Sequence, residues 1–163
     1  MVLPSGLTST ITGIDSPTGP IQEATPGQAV TVLLADDLSI TRGDMICRPN
    51  NRPRVSQELE AMLCWMDDAA PMQPSKIYTI KHTTKSARTK ITEVLYRLNI
   101  STLSRETAVS QLAMNEIGRV TLHTTAPLMF DDYHQNRTTG CFIIVDEATG
   151  QTAGAGMLLS PRT

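Results

Sequence analysis

"TGCFIIVDEATGQTAGAGML" runs from Thr139 to Leu158, and the role of Gly150, Gly154 and Gly156 decides the fold. A phosphate-binding loop of the Walker type needs G-x-x-x-x-G-K-[ST], because the lysine and hydroxyl complete the phosphate and magnesium contacts. After Gly150 neither stands at the required offset. A dinucleotide fingerprint needs a third glycine and a following helix, yet Gly154-Ala155-Gly156 runs directly into Met157, Leu158 and Leu159. The stretch therefore reads as a β-hairpin. "CFIIVDE" is the outgoing strand, Gly150 takes positive φ in the turn, and "QTAGAGMLL" returns. Gly154 and Gly156 then share one face of the return strand, where a missing side chain admits a close neighbour.

Working outward, the same punctuation recurs along the chain. Short runs rich in Thr, Val, Ile and Leu begin at Leu7, Gln28, Lys76, Thr89, Gly118, Cys141 and Thr152, separated by Gly, Pro, Asn and Asp. This spacing is that of an all-β protein. In "KITEVLYRL" the alternation assigns Thr92, Val94, Tyr96 and Leu98 to the core and Ile91, Glu93, Leu95 and Arg97 to solvent. "VSQELEAMLCWM" from Val55 is ambiguous: Leu59, Met62, Leu63 and Met66 make a helical stripe, whereas Val55, Leu59, Leu63 and Trp65 fit a strand with gaps, and periodicity alone leans towards helix. "CRPNNRPRV", Cys47 to Val55, packs prolines, asparagines and arginines together, which breaks any strand and marks a boundary. The closing "LLSPRT" reads as a strand running out into a loose tail.

Composition narrows the function. The chain has 163 residues, 14 basic and 16 acidic side chains, and a formal charge of -2, which gives no electrostatic reason to expect nucleic acid or an anionic membrane as partner. The longest apolar runs fall far short of the ~20 residues of a membrane span. Three cysteines with no C-x-x-C pair argue against a disulfide framework and a zinc site, and fit a cytoplasmic setting. His82, His123 and His134 lack ligand spacing and read as surface or strand histidines. The pairs Asp36-Asp37, Asp67-Asp68 and Asp131-Asp132 adjoin turns, where Asp bonds its own backbone. No G-x-S-x-G elbow anchors a hydrolase triad. The one basic segment comprises Lys76, Lys81, Lys85, Arg88, Lys90 and Arg97, opposed within it only by Glu93; it reads first as a solvated strand face, and otherwise as a contact for phosphate or an acidic partner.

Four stretches go beyond fold class: "PSGLTSTITGID" from Pro4, "ADDLSITRGDMI" from Ala35, "NEIGRVTLHTTAPL" from Asn115 and "DDYHQNRTTGCFIIVDEATGQTAGAGML" from Asp131. Together with the run from Lys76, they resemble the region following the G domain in the large, GTP-binding subunit of bacterial sulfate adenylyltransferase (ATP sulfurylase). That family belongs to the translational GTPases. The resemblance implies an all-β chain of translation-factor-like β-barrels: residues 1–50 as the back part of a truncated second-domain barrel, and 51–163 as a complete third-domain barrel resembling the C-terminal domain of elongation factor Tu. It also makes "ELEAMLCWM" the first strand of that barrel, against the helical lean.

In that family GTP hydrolysis on the large subunit drives formation of adenosine 5'-phosphosulfate, while the small subunit carries the adenylylation of sulfate by ATP. The P-loop, DxxG and NKxD elements of the large subunit are absent from this sequence. No catalytic, cofactor-binding or metal-binding residue is therefore carried over, and the chain alone is expected to be inactive. GTP and magnesium would belong to a G domain in the longer parent. The implied partners are that G domain in cis and the small catalytic subunit, with no nucleic acid and no membrane. Two interface candidates stand out: Asn136, Arg137, Thr138 and Thr139, where Arg137 offers a rigid donor fork, and the patch Lys81, His82, Thr83 and Thr84. For Arg137, a purely structural role tying the loop to backbone carbonyls competes with the interface reading. A competing function for the whole chain is a translation elongation factor fragment with tRNA-binding barrels.

Overall fold

A computed structural model describes residues 1–160; the expected tail at 161–163 lies outside the described residues. The chain divides into two compact units, Met1–Asn51 and Arg52–Thr163. The first unit contains β1 (Val2–Leu3), β2 (Ile11–Ser16), β3 (Gly19–Ile21), β4 (Thr31–Leu34) and β5 (Met45–Ile46). β1 pairs antiparallel with β5, while β2 lies between β3 and β4 in an open sheet. Val2 and Leu3 are its buried apolar residues, and Ile11, Leu33 and Ile46 stay exposed.

The second unit opens with β6 (Arg54–Trp65), followed by β7 (Ile77–His82), β8 (Lys85–Leu98) and the short β9 (Arg105–Glu106). Next come β10 (Ile117–Phe130), a single helical turn α1 (Arg137–Gly140), β11 (Cys141–Val145) and β12 (Thr152–Leu159). The order β10-β6-β12-β11-β7-β8 is closed by pairing of β8 with β10. Every barrel neighbour is antiparallel. Closure removes the free edges that an open sheet exposes.

β6 is a strand throughout, so the helical lean of its periodicity fails. Leu59, Ala61, Leu63 and Trp65 are all buried; small Ala61 completes a period-two face that bulky residues alone do not reveal. The assignment of β8 also needs correction. Both Ile91 and Val94 are buried, while Thr92 and Glu93 are exposed one after the other. The pairing with β10 shifts register between Thr121 and Leu122, and this irregularity reverses which parity faces inward. Strict alternation carried from Val94 back to Ile91 therefore misassigned Ile91 to solvent.

Packing inside the barrel is continuous. Trp65, Tyr78, Leu63, Ile80, Ile91, Leu122 and Ile144 are almost completely buried, each such side chain contributing roughly 1.5–3 kcal/mol of transfer free energy. The Trp65 and Tyr78 rings meet edge-on at 5.5 Å, the Trp65 indole donates to the Ala70 carbonyl at 2.8 Å, and the Tyr78 hydroxyl accepts from the Gln73 amide.

The terminal hairpin is β11 and β12, with Gly150 at φ 72 in its turn. Asp146 holds that turn: Oδ1 accepts the amides of Ala148 and Thr149, and Oδ2 meets Lys76 Nζ at 2.5 Å. Lys76 and the two amides hold the Asp146 carboxyl below the ordinary carboxylate range, the lysine being the larger cause. On the return strand, a Cβ at Gly156 would lie 2.3 Å from Phe142 Cζ, and one at Gly154 would lie 2.9 Å from the Cys64 carbonyl oxygen. These are packing glycines.

Candidate functional site

An antiparallel barrel with a solvated outside should alternate apolar and polar residues along each strand. Strands β6, β11 and β12 break that rule. Their inward residues include Leu63, Phe142, Ile144 and Leu158, yet their outward residues include Met62, Cys64, Cys141, Ile143, Ala155 and Met157. The strand register aligns these outward positions in two ranks. Ile143 pairs with Ala155, Ala155 with Cys64 and Cys64 with Ile117; Cys141 pairs with Met157, Met157 with Met62 and Met62 with Arg119.

Ala155 is the smallest side chain in the middle of this face, and the surface is hollow there. A groove of about 520 Å³ runs over it, lined among others by Met62, Ile117, Ile143 and Met157. Contiguous exposed apolar surface of this kind marks a contact site rather than an ordinary solvated strand face. At one end Arg119 is neutralised by Glu60, its aliphatic stem lying in the second rank.

The other end carries both interface candidates, which are far apart in sequence. Lys81 pairs across the sheet with Ile143, and Lys81, Thr83 and Thr138 line the groove beside Tyr133. Asn136 caps α1, its side chain accepting the amides of Thr138 and Thr139. Thr139 donates its hydroxyl to Asp131 at 2.6 Å. A Cβ at Gly140 would lie 2.5 Å from Tyr133 Cα, so the loop folds tightly on itself. Arg137 is exposed, with its guanidinium 6.0 Å from the centre of the Tyr133 ring. Among the described residues it ties no backbone carbonyl, the structural role that competed with the interface reading.

His82 joins the two segments. It is buried, a correction to its place in an exposed patch, because strand alternation turns it inward between the exposed Lys81 and Thr83. Its Nε2 lies 2.6 Å from the Thr139 carbonyl oxygen, which requires the Nε2–H tautomer as donor. Burial pushes its pKa down, opposed by that hydrogen bond and by the Asp131 charge. Thr84 stays exposed in the turn. Of the eight candidates, then, three line the groove, Asn136, His82 and Thr139 fix its rim, and Arg137 stands beside it.

The sequence reading missed the apolar floor itself. Its signal was present: "AMLCW" and "CFIIV" are apolar at both parities, which a half-solvated strand is not. Two further features resolve as structure. Asp67 and Asp132 accept the amides two residues on, as turn aspartates do. In the basic segment, Lys76, Arg88 and Arg97 pair with Asp146, Glu147, and Glu106 together with Glu116. Lys81 has no ion-pair partner among the described residues.

This closed six-stranded barrel belongs to the GTP-eEF1A C-terminal domain-like family, whose model matches residues 58–159. The chain superposes on the structure of sup35 complexed with GDP with a TM-score of 0.86, covering 100% of this chain and 40% of that one at 16% identity; that likeness carries the fold. Sequence carries more. The chain is 49% identical over 98% of its length to the bifunctional enzyme CysN/CysC of Mycobacterium tuberculosis H37Rv, covering 26% of that protein. It is 41% identical over 97% of its length to sulfate adenylyltransferase subunit 1 of Aeromonas hydrophila, covering 33% of that protein. It is also 41% identical over 99% to the bifunctional enzyme NodQ of Rhizobium tropici, covering 25%. The chain thus spans about a quarter to a third of the relatives it matches.

Proposed function

We propose that this chain is the β-barrel portion of the GTPase subunit of a cytoplasmic sulfate adenylyltransferase, acting as a scaffold and subunit-interaction module. The observation that carries the reading is near-complete coverage at 49% identity by a CysN/CysC enzyme, supported by subunit 1 relatives at 41% and 39%. In the longer protein a G domain would hold GTP and magnesium, and the small catalytic subunit would adenylylate sulfate. Residues 1–50 would contribute to the second-domain barrel. The barrels would pass the nucleotide state across by rigid-body movement. The grooved outer face, with Lys81, Thr83 and Thr138 at its rim, is the surface best suited to a protein contact. Among the described residues, no helix is long and apolar enough to cross a membrane. A tRNA-binding barrel would need a phosphate-tracking basic surface, which a net charge of -2 does not favour.

Competition tests this. Excess chain added to a reconstituted two-subunit sulfate adenylyltransferase from the same source should compete with the full-length GTPase subunit for the small subunit. GTP-stimulated formation of adenosine 5'-phosphosulfate should then fall in proportion. Undiminished synthesis, together with no co-elution of chain and small subunit, overturns the proposal.

A further inference from the structure

Charge decides what the groove can hold. Its floor is apolar and rich in sulfur, with Met62, Cys64 and Met157 offering adaptable, polarisable contacts. Glu60, Asp131 and Asp132 flank it, and each is hydrogen-bonded within the fold. Glu60 holds Arg119, Asp131 accepts the Thr139 hydroxyl, and Asp132 accepts the amides of Ser160 and His134. The cations at the α1 end have no carboxylate partner among the described residues: Lys81 is exposed, and Arg137 is exposed with its guanidinium 6.0 Å from the centre of the Tyr133 ring. The groove is therefore an apolar trough with two exposed cations at one end, neither in an ion pair among the described residues.

We infer that this groove receives a short apolar segment of a partner protein that carries carboxylates at the end lying over Lys81 and Arg137. Resting on the proposed function, the partner is the small catalytic subunit. The apolar side chains of the segment would fill the hollow above Ala155 and displace water from Ile143, Met157 and Met62. Its carboxylates would take the Lys81 ammonium and the Arg137 fork. A basic or uncharged apolar segment would offer neither cation an ion-pair partner, so the rim favours acidic sequence.

The test uses the whole chain and two probes: the small catalytic subunit, and a labelled Leu- and Phe-containing peptide ending in consecutive aspartates, alongside its lysine-ended counterpart. Hydrogen exchange should show both the subunit and the acidic peptide protecting β11, β12 and the α1 loop. Ala155→Glu, which places a charge on the outward floor, should abolish both contacts. Lys81→Glu with Arg137→Glu should weaken acidic-peptide binding by about a hundredfold, taking roughly tenfold per reversed charge, and should reverse the preference between peptides. Unchanged thermal melting of each variant confirms that the barrel is intact.

Binding of the subunit with protection elsewhere, and indifference to these variants, overturns this inference and leaves the proposed function standing. Groove binding of the acidic peptide without any subunit binding leaves the recognition chemistry standing and overturns the proposed function. Equal affinity for both peptides, binding of neither, or protection of the groove only by a second copy of the chain overturns the inference.

Discussion

Gly156 offers the most direct measurement of how tightly the barrel wall is packed. A Cβ there would stand 2.3 Å from Cζ, 2.6 Å from Cε1 and 3.0 Å from Cε2 of Phe142, against an ordinary carbon contact of about 3.5–4.0 Å. Accommodating alanine requires the ring to retreat by about 1.2 Å or more, and Phe142 is only 3% exposed within the packed core. Overpacking of this kind costs about 1–3 kcal/mol. Taking about 2 kcal/mol, Gly156→Ala should lower the melting temperature of the barrel by ~10 °C.

Trp65 is the single tryptophan and lies in the second unit, so its fluorescence in a urea titration reports the barrel without interference from the first unit. Phe142→Leu, which removes the clashing ring atoms, provides the control. Its own cost of about 1–2 kcal/mol from lost burial should add much less than fully to that of Gly156→Ala, with a coupling of about 1 kcal/mol or more. Gly156→Ala within about 0.5 kcal/mol of the parent, or strictly additive costs, would refute the packing argument.

Two other outcomes follow from ionisable groups. The depressed Asp146 pKa means that its stabilising contribution is present above the unfolded carboxylate value of about 4 and is lost as pH falls through the lower folded value. Asp146→Asn should therefore flatten part of the acid limb of the stability profile; an unaltered profile by urea titration from neutral to acidic pH refutes the Lys76–Asp146 account. The depressed His82 pKa makes the folded state lose stability as pH drops below the unfolded value of about 6.5, levelling off once the folded value is passed. In a histidine NMR titration, His82 should protonate below the ordinary histidine value of about 6.5, and a midpoint at or above that value contradicts its burial against the Thr139 carbonyl.

Much of the barrel is legible in individual residues. The hairpin follows from Gly150 placed between two apolar strands, because a tight turn needs its positive φ and a phosphate loop needs partners that are missing. The close approach at Gly154 and Gly156 is implied by two missing side chains on one strand face. Local signals fail in two places. β6 hides its period behind Ala61, and the β8 register shift near Ile91 reverses a parity that no propensity encodes. The candidate site is half visible: Asn136 to Thr139 and Lys81 to Thr84 draw notice by their chemistry, but nothing in the linear order connects them.

By itself the sequence determined the all-β class, the terminal hairpin and the kinship with sulfate-activating GTPase subunits, since turn chemistry and identity are both properties of the linear chain. Only the tertiary structure decided that His82 points inward to bind the Thr139 carbonyl and that two distant loops share one rim. It alone also aligned the surplus apolar residues of three strands into a groove. Strand alternation supplies a face only once the register is set, and register in a closed barrel is fixed by neighbours far away in sequence.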